Sequence, residues 1–115
     1  MRDYGDYLKD ILDAIDETAE FTVGMFFEQF THDRKTINSV VRSLEVLGEA
    51  AKRIPDDLRA QASIVPWKRM AGMRDKLIHE YFGVDLSIVW TVIKDELPPL
   101  RPEIEHLLRK LEKTE

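Results

Sequence analysis

Arg74, His79 and Tyr81 fall within eight residues of one another in the stretch Gly72–Gly83, GMRDKLIHEYFG. Those three side-chain types can do chemistry together. An imidazole that titrates near neutrality takes or gives a proton. A guanidinium holds a phosphate and stabilises the extra negative charge of its transition state. RNA carries its own nucleophile, the 2′-hydroxyl, so a base, an acid and a cation suffice to cleave it without a metal ion. The stretch has only one acid–base group of this kind. A two-fold axis beside it would supply the second from another copy of the chain.

The spacing leaves a plainer alternative open for each residue. On a helix, Tyr81 lies four residues after Leu77 and shares its apolar face, so it also fits a core aromatic with its hydroxyl at the rim. His79 stands about 200° around from Leu77 and about 140° from Arg74. That points it away from the helix's own core, where an imidazole between Asp75 and Glu80 can simply be solvated. Lys68, Arg69, Arg74 and Lys76 crowd residues 68–76 against Asp75 alone. They form either a solvated helix face or a local basic cleft for RNA, with Lys68, Arg69 and Lys76 the candidate contacts.

The rest of the chain must position this stretch, and its apolar pattern is helical almost throughout. Leu8, Ile11, Leu12, Ile15 and Ala19 recur at helical spacing, and Ile37, Val40, Val41, Leu44, Leu47, Gly48 and Ala51 form a second stripe from Asp33 to about Ile54. Between them, Gly24 and the cluster Met25, Phe26, Phe27 and Phe30 suggest a loop and short helical turn that lid one end of the core. Pro55 should end the second helix. Residues 56–66 read as a connector with one turn near Leu58, and Pro66-Trp67 opens a third helix with Met70, Met73, Leu77 and Tyr81 inside. Gly83 suits a helix stop. Asp85 suits the N-cap of a fourth helix carrying Leu86, Val89, Trp90 and Ile93. Pro98 and Pro99 interrupt the pattern before a last helix with Leu100, Ile104, Leu107, Leu108 and Leu111. Period-two alternation and internal repeats are absent. The expectation is all-α: an up-and-down bundle of four to five helices forming a single domain over residues 1–115.

Composition narrows the function classes. A length of 115 residues with 43% hydrophobic and 34% charged side chains suits one folded core with a charged surface. The absence of cysteine excludes disulfides, thiolate metal sites and a thiol nucleophile. A net charge of −5 argues against a bulk nucleic-acid coat protein, though not against a local basic cleft. No apolar run reaches the ~20 residues of a membrane span, and the charged N-terminus MRDYGDYLKD lacks a secretion signal. A cytoplasmic location, no membrane partner, no cofactor and no metal are expected.

Arg74, four residues, His79, one residue, Tyr81 is the R-x4-H-x-Y pattern of the HEPN superfamily. Its setting resembles the HepT-like branch, the toxin half of a prokaryotic toxin–antitoxin pair of type VII. The residues that carry the likeness are Ile64-Val65-Pro66-Trp67, Met70-Ala71-Gly72-Met73-Arg74, His79-Glu80-Tyr81-Phe82-Gly83-Val84-Asp85, Val89-Trp90 and, upstream, Leu47-Gly48-Glu49-Ala50-Ala51. They span nearly the whole chain. The resemblance implies a homodimeric helical bundle and a metal-independent endoribonuclease. Arg74 and His79 of both copies would share one cleft. It also implies a minimal nucleotidyltransferase antitoxin that transfers AMP to Tyr81 and silences the toxin. A non-catalytic nucleotide- or partner-binding module paired with such a transferase is the alternative, and the acidic net charge suits it.

Overall fold

The computed structural model describes residues 2–79 and 85–113; for Arg74, Leu77, Ile78 and His79 it describes the backbone alone. Four longer helices dominate: α1 (Tyr4–Phe21), α3 (Arg34–Lys52), α5 (Trp67–His79) and α7 (Arg101–Lys113). Shorter ones lie between them: α2 (Phe27–Thr31), α4 (Asp56–Arg59) and α6 (Leu86–Thr91). No strand occurs among the described residues, so the chain is all-α as its periodicity predicts.

Aspartates start three of these helices by accepting backbone N–H groups that the first turn leaves unpaired. Asp3 and Asp6 form a reciprocal capping box on α1. Asp33 accepts from Thr36 at 3.0 Å at the head of α3, and Asp85 accepts from Ser87 at 2.9 Å at the head of α6. The Asp85 cap agrees with the sequence reading.

α3 is the central helix and packs on both α1 and α5, while α7 lies along α1. Its stripe buries Val40, Val41, Leu44, Leu47, Gly48 and Ala51, with Ile37 half-buried. Leu8, Ile11, Leu12 and Ile15 face it from α1, and Ile104, Leu107 and Leu108 close the core from α7. The helix stops at Lys52, with Ile54 buried beyond it, and Pro55 opens α4. The residue before a proline is pushed out of α geometry, which ends α3 slightly earlier than the apolar stripe suggests.

The aromatic segment does form a lid, but only part of it turns inward. Phe30 is fully buried against Trp90, with ring centroids 5.0 Å apart, and Phe27 touches the same indole at 6.0 Å. Phe26 and Val23 remain outside. The chain turns between α1 and α2 through Gly24, whose φ of 75° lies in the left-handed region that glycine tolerates without strain. Lys94 fastens this corner: its ammonium donates to the Thr22 carbonyl at 3.1 Å and sits 4.9 Å from the Trp90 ring centroid.

The prolines leave a mark that the apolar pattern does not reveal. Neither Pro98 nor Pro99 has an N–H to continue an α ladder. The chain widens over Val92–Glu96 into a π turn, in which Leu97 N–H reaches the Val92 carbonyl at 2.8 Å, and then tightens to a 3₁₀ turn over Pro98–Leu100. Val92, Ile93 and Leu97 are buried by this path.

α1 and α7 are also joined by charge. The Arg101 guanidinium donates to both Asp16 carboxylate oxygens, at 2.7 and 2.9 Å, and to Glu105 at 2.6 Å. The hydrogen bond from Arg101 holds the Asp16 carboxyl below its ordinary 3.8. The bonds that Asp33 receives from Thr36 and Asp85 receives from Ser87 act in the same direction. A carboxyl depressed in the folded state stabilises it fully above the unfolded value, and that contribution disappears as the pH falls through the lower folded value. Thermal stability should therefore fall on acidification below pH 3.8. In Asp16→Asn that fall should be smaller, while the neutral-pH stability drops slightly. An unchanged acid profile in the variant would detach Asp16 from the effect.

Candidate active site

α5 carries the candidate chemistry, and its start is fixed firmly. The Trp67 side chain is buried and its indole N–H donates to the Ala62 carbonyl at 3.1 Å. Trp67 N–H bonds to Val65 O at 2.9 Å, and Met70 N–H to Pro66 O at 3.0 Å. Proline at the helix entrance forfeits no bond, because its N–H would be unpaired there anyway. Trp67→Phe keeps most of the apolar volume but leaves the Ala62 carbonyl without its donor. Urea denaturation should show a loss of about 1–2 kcal/mol, the cost of a buried polar group left unpaired. A loss under a few tenths would mean that the indole nitrogen does not set this entrance.

From Trp67 the helix runs without interruption to His79. Five of the six residues singled out in the sequence lie on it: Lys68, Arg69, Arg74, Lys76 and His79. Tyr81, the sixth, lies outside the described residues, as do Phe82 and Gly83. Because the helix is regular between Arg74 and His79, their α-carbons stand about 140° apart around it, as the spacing predicts. The buried side of α5 is set by Trp67 and Met70, with Met73 half-buried.

The three lesser cations are all exposed, and their surroundings differ. Arg69 is paired with Glu96 of the π turn. That pair crosses the rim of a shallow apolar groove between α5 and the π turn, with Met70, Met73, Val92 and Leu97 in its wall. Glu96 is thus a partner that linear reading misses. It stands 27 positions from Arg69, and only the π turn presents it there. Lys68 and Lys76 make no ion pair among the described residues. No group of three His, Cys, Asp or Glu side chains able to hold a metal ion occurs among the described residues. No helix among them is long and apolar enough to cross a membrane.

Comparison with known proteins decides the family. The profile of the family described as Ribonuclease HepT-like matches residues 11–107. The chain belongs to the HepT-like ribonuclease family. It is similar to a protein of Thermococcus cleftensis named "Probable ribonuclease HepT", at 47% identity over 106 residues, covering 92% of this chain and 96% of that one. A protein of Methanocaldococcus jannaschii named "Putative RNase MJ1216" is 45% identical over 111 residues, covering 96% of this chain and 92% of its own. A third, "Putative RNase TTE0752" of Caldanaerobacter subterraneus subsp. tengcongensis, is 46% identical over 104 residues, covering 90% and 93%. No solved structure matches the chain. Membership of the HepT-like family accords with the all-α bundle and with the resemblance drawn from the residues around Arg74, His79 and Tyr81.

Proposed function

We propose that this HepT-like chain is a metal-independent endoribonuclease toxin of a type VII toxin–antitoxin pair, working as a homodimer whose two copies build one cleft. His79 of one copy removes the proton from the 2′-hydroxyl, and His79 of the other protonates the leaving 5′-oxygen. Arg74 holds the phosphate between them and offsets its growing charge. The attack of the 2′-oxygen on phosphorus forms one P–O bond as the bond to the 5′-oxygen breaks. The products are a 2′,3′-cyclic phosphate and a 5′-hydroxyl. Tyr81 orients the phosphate and is the acceptor at which a minimal nucleotidyltransferase antitoxin attaches AMP, which silences the toxin. The family match over residues 11–107 is the observation that supports this reading.

The test is incubation of the purified protein with RNA in excess chelator, followed by analysis of the fragment ends. Cleavage to 2′,3′-cyclic phosphate and 5′-hydroxyl ends is expected. RNA left intact, with a stable complex between the protein and its neighbouring transferase, would replace this reading with that of a non-catalytic partner-binding module. Co-expression with that transferase should raise the protein's mass in steps of about 329 Da, the mass an adenylyl group adds to a side-chain oxygen. The added mass should be lost in Tyr81→Phe.

A further inference from the structure

The charge of the chain is divided unequally along its length. Residues before Arg34 hold nine acids and two bases, whereas those from Arg34 onward hold thirteen acids and fifteen bases. Eight of those nine acids lie on α1, its cap or α2, the ninth, Asp33, caps α3, and the basic excess begins with Arg34.

The course of the chain carries the head of α3 about one helical turn past the described end of α5. The Arg59 guanidinium donates to the Ala51 carbonyl at 2.9 Å, so α4 sits under the C-terminal end of α3. One 3₁₀ turn later, Ala62 receives the Trp67 indole N–H, so α5 starts near that same end. Because α5 packs along α3, the two must run antiparallel. Twelve residues on from Trp67 is His79, about 18 Å along the axis. Twelve residues back from Ala51 is Ser39, at about the same height.

Ser39 lies between two cations on one side of α3, with Lys35 four positions before it and Arg42 three after. Arg34 adjoins Lys35. All three cations are exposed. Arg34 and Lys35 make no ion pair among the described residues. Among the described residues Arg42 meets only Glu45, at 3.7 Å and with its own side chain 76% exposed. Lys76 of α5, nine residues after Trp67, comes level with Arg42, nine before Ala51. Lys35 lies near enough to the Asp33 cap to help depress its carboxyl and Arg42 pairs with Glu45, but all three cations stay exposed.

We infer that Arg34, Lys35 and Arg42 form a phosphate-binding track on α3 that receives the RNA strand flanking the scissile bond. This rests on the ribonuclease reading for its substrate and assigns the track's residues independently of the Arg74–His79 chemistry. The strand crosses from the end of α5 onto α3. Each cation contributes a sequence-independent contact to the backbone.

The experiment measures equilibrium binding of a fluorescent single-stranded RNA at several salt concentrations, in a His79→Ala background so that the probe stays intact. Arg34→Ala, Lys35→Ala and Arg42→Ala together should weaken binding on the order of tenfold or more. They should also lower the slope of log Kd against log salt by about 2, at about 0.7 per lost phosphate contact. The charge-preserving set Arg34→Lys, Lys35→Arg and Arg42→Lys should bind like the parent, which a merely structural role would not predict. Lys9→Glu on the acidic side should change nothing. Equal binding by the alanine set, or an unchanged salt slope, overturns the track, and so does a parent that binds no RNA. The two readings fail separately. A chain that cuts RNA but binds it equally well without the three cations keeps its nuclease assignment and loses the track. One that binds through them but never cuts keeps the track and loses the nuclease.

Discussion

His79→Ala is expected to slow metal-free RNA cleavage by about 10²–10⁴-fold, the usual contribution of a positioned general acid or base. The upper end applies because the same substitution in a symmetric pair removes both the base and the acid. Arg74→Ala should act on the same step through the transition-state charge, with a loss of about 10²–10³-fold. Neither variant is expected to unfold the protein, since Trp67 and Met70 keep α5 anchored in the core. Undiminished cleavage by His79→Ala would sink the mechanism. The composite nature of the cleft can be read by mixing the two inactive variants. A heterodimer in which one copy brings an intact histidine and the other an intact arginine should recover part of the activity, whereas each homodimer stays inactive.

Phe30→Ala should be the most damaging single truncation away from that chemistry, at about 3–5 kcal/mol in urea denaturation. Phe30 is fully buried, and its ring is the nearer of the two α2 rings that touch the Trp90 indole of α6. Its removal leaves a cavity that neither helix can close, because α2 is only five residues long and its start is tied by the Phe26 N–H bond to Gln29 at 2.8 Å. Phe26→Ala, by contrast, removes a ring that is 78% exposed and should cost less than ~0.5 kcal/mol. Similar losses for both would show that the aromatic lid works as a whole. The expected gap assigns its effect to the one ring that turns inward.

The contrast between these two phenylalanines shows where the sequence is readable. The stripes of α1, α3 and α7 follow one face of a 3.6-residue period for several turns, so most of their buried residues are evident from spacing, although Ala19 proves exposed and Thr18 beside it buried. Asp85 is legible because a short polar side chain before an apolar run has one obvious task. In the segment from Phe21 to Phe30 there is no period to say which ring goes in, and only packing on Trp90 decides it. The π turn is equally hidden: two prolines announce an interruption but not that the chain will widen first. Around the candidate site, the types and spacing of Arg74, His79 and Tyr81 are visible in one line of sequence. What linear reading lacks is contact across the fold. Glu96 engaging Arg69, and Arg42 coming level with Lys76, both depend on which helices lie side by side.

The uneven charge of the bundle also bears on how copies of it meet. Its isoelectric point near 5.2 is an average that describes neither side of the surface. In dilute buffer that unevenness should make each molecule an electric dipole. Two molecules drifting together should then be turned so that an acidic surface of one meets a basic surface of the other, the arrangement that leads to open chains. A closed pair with matching faces must overcome that torque through short-range packing, and added salt, which shields the dipoles, should favour it.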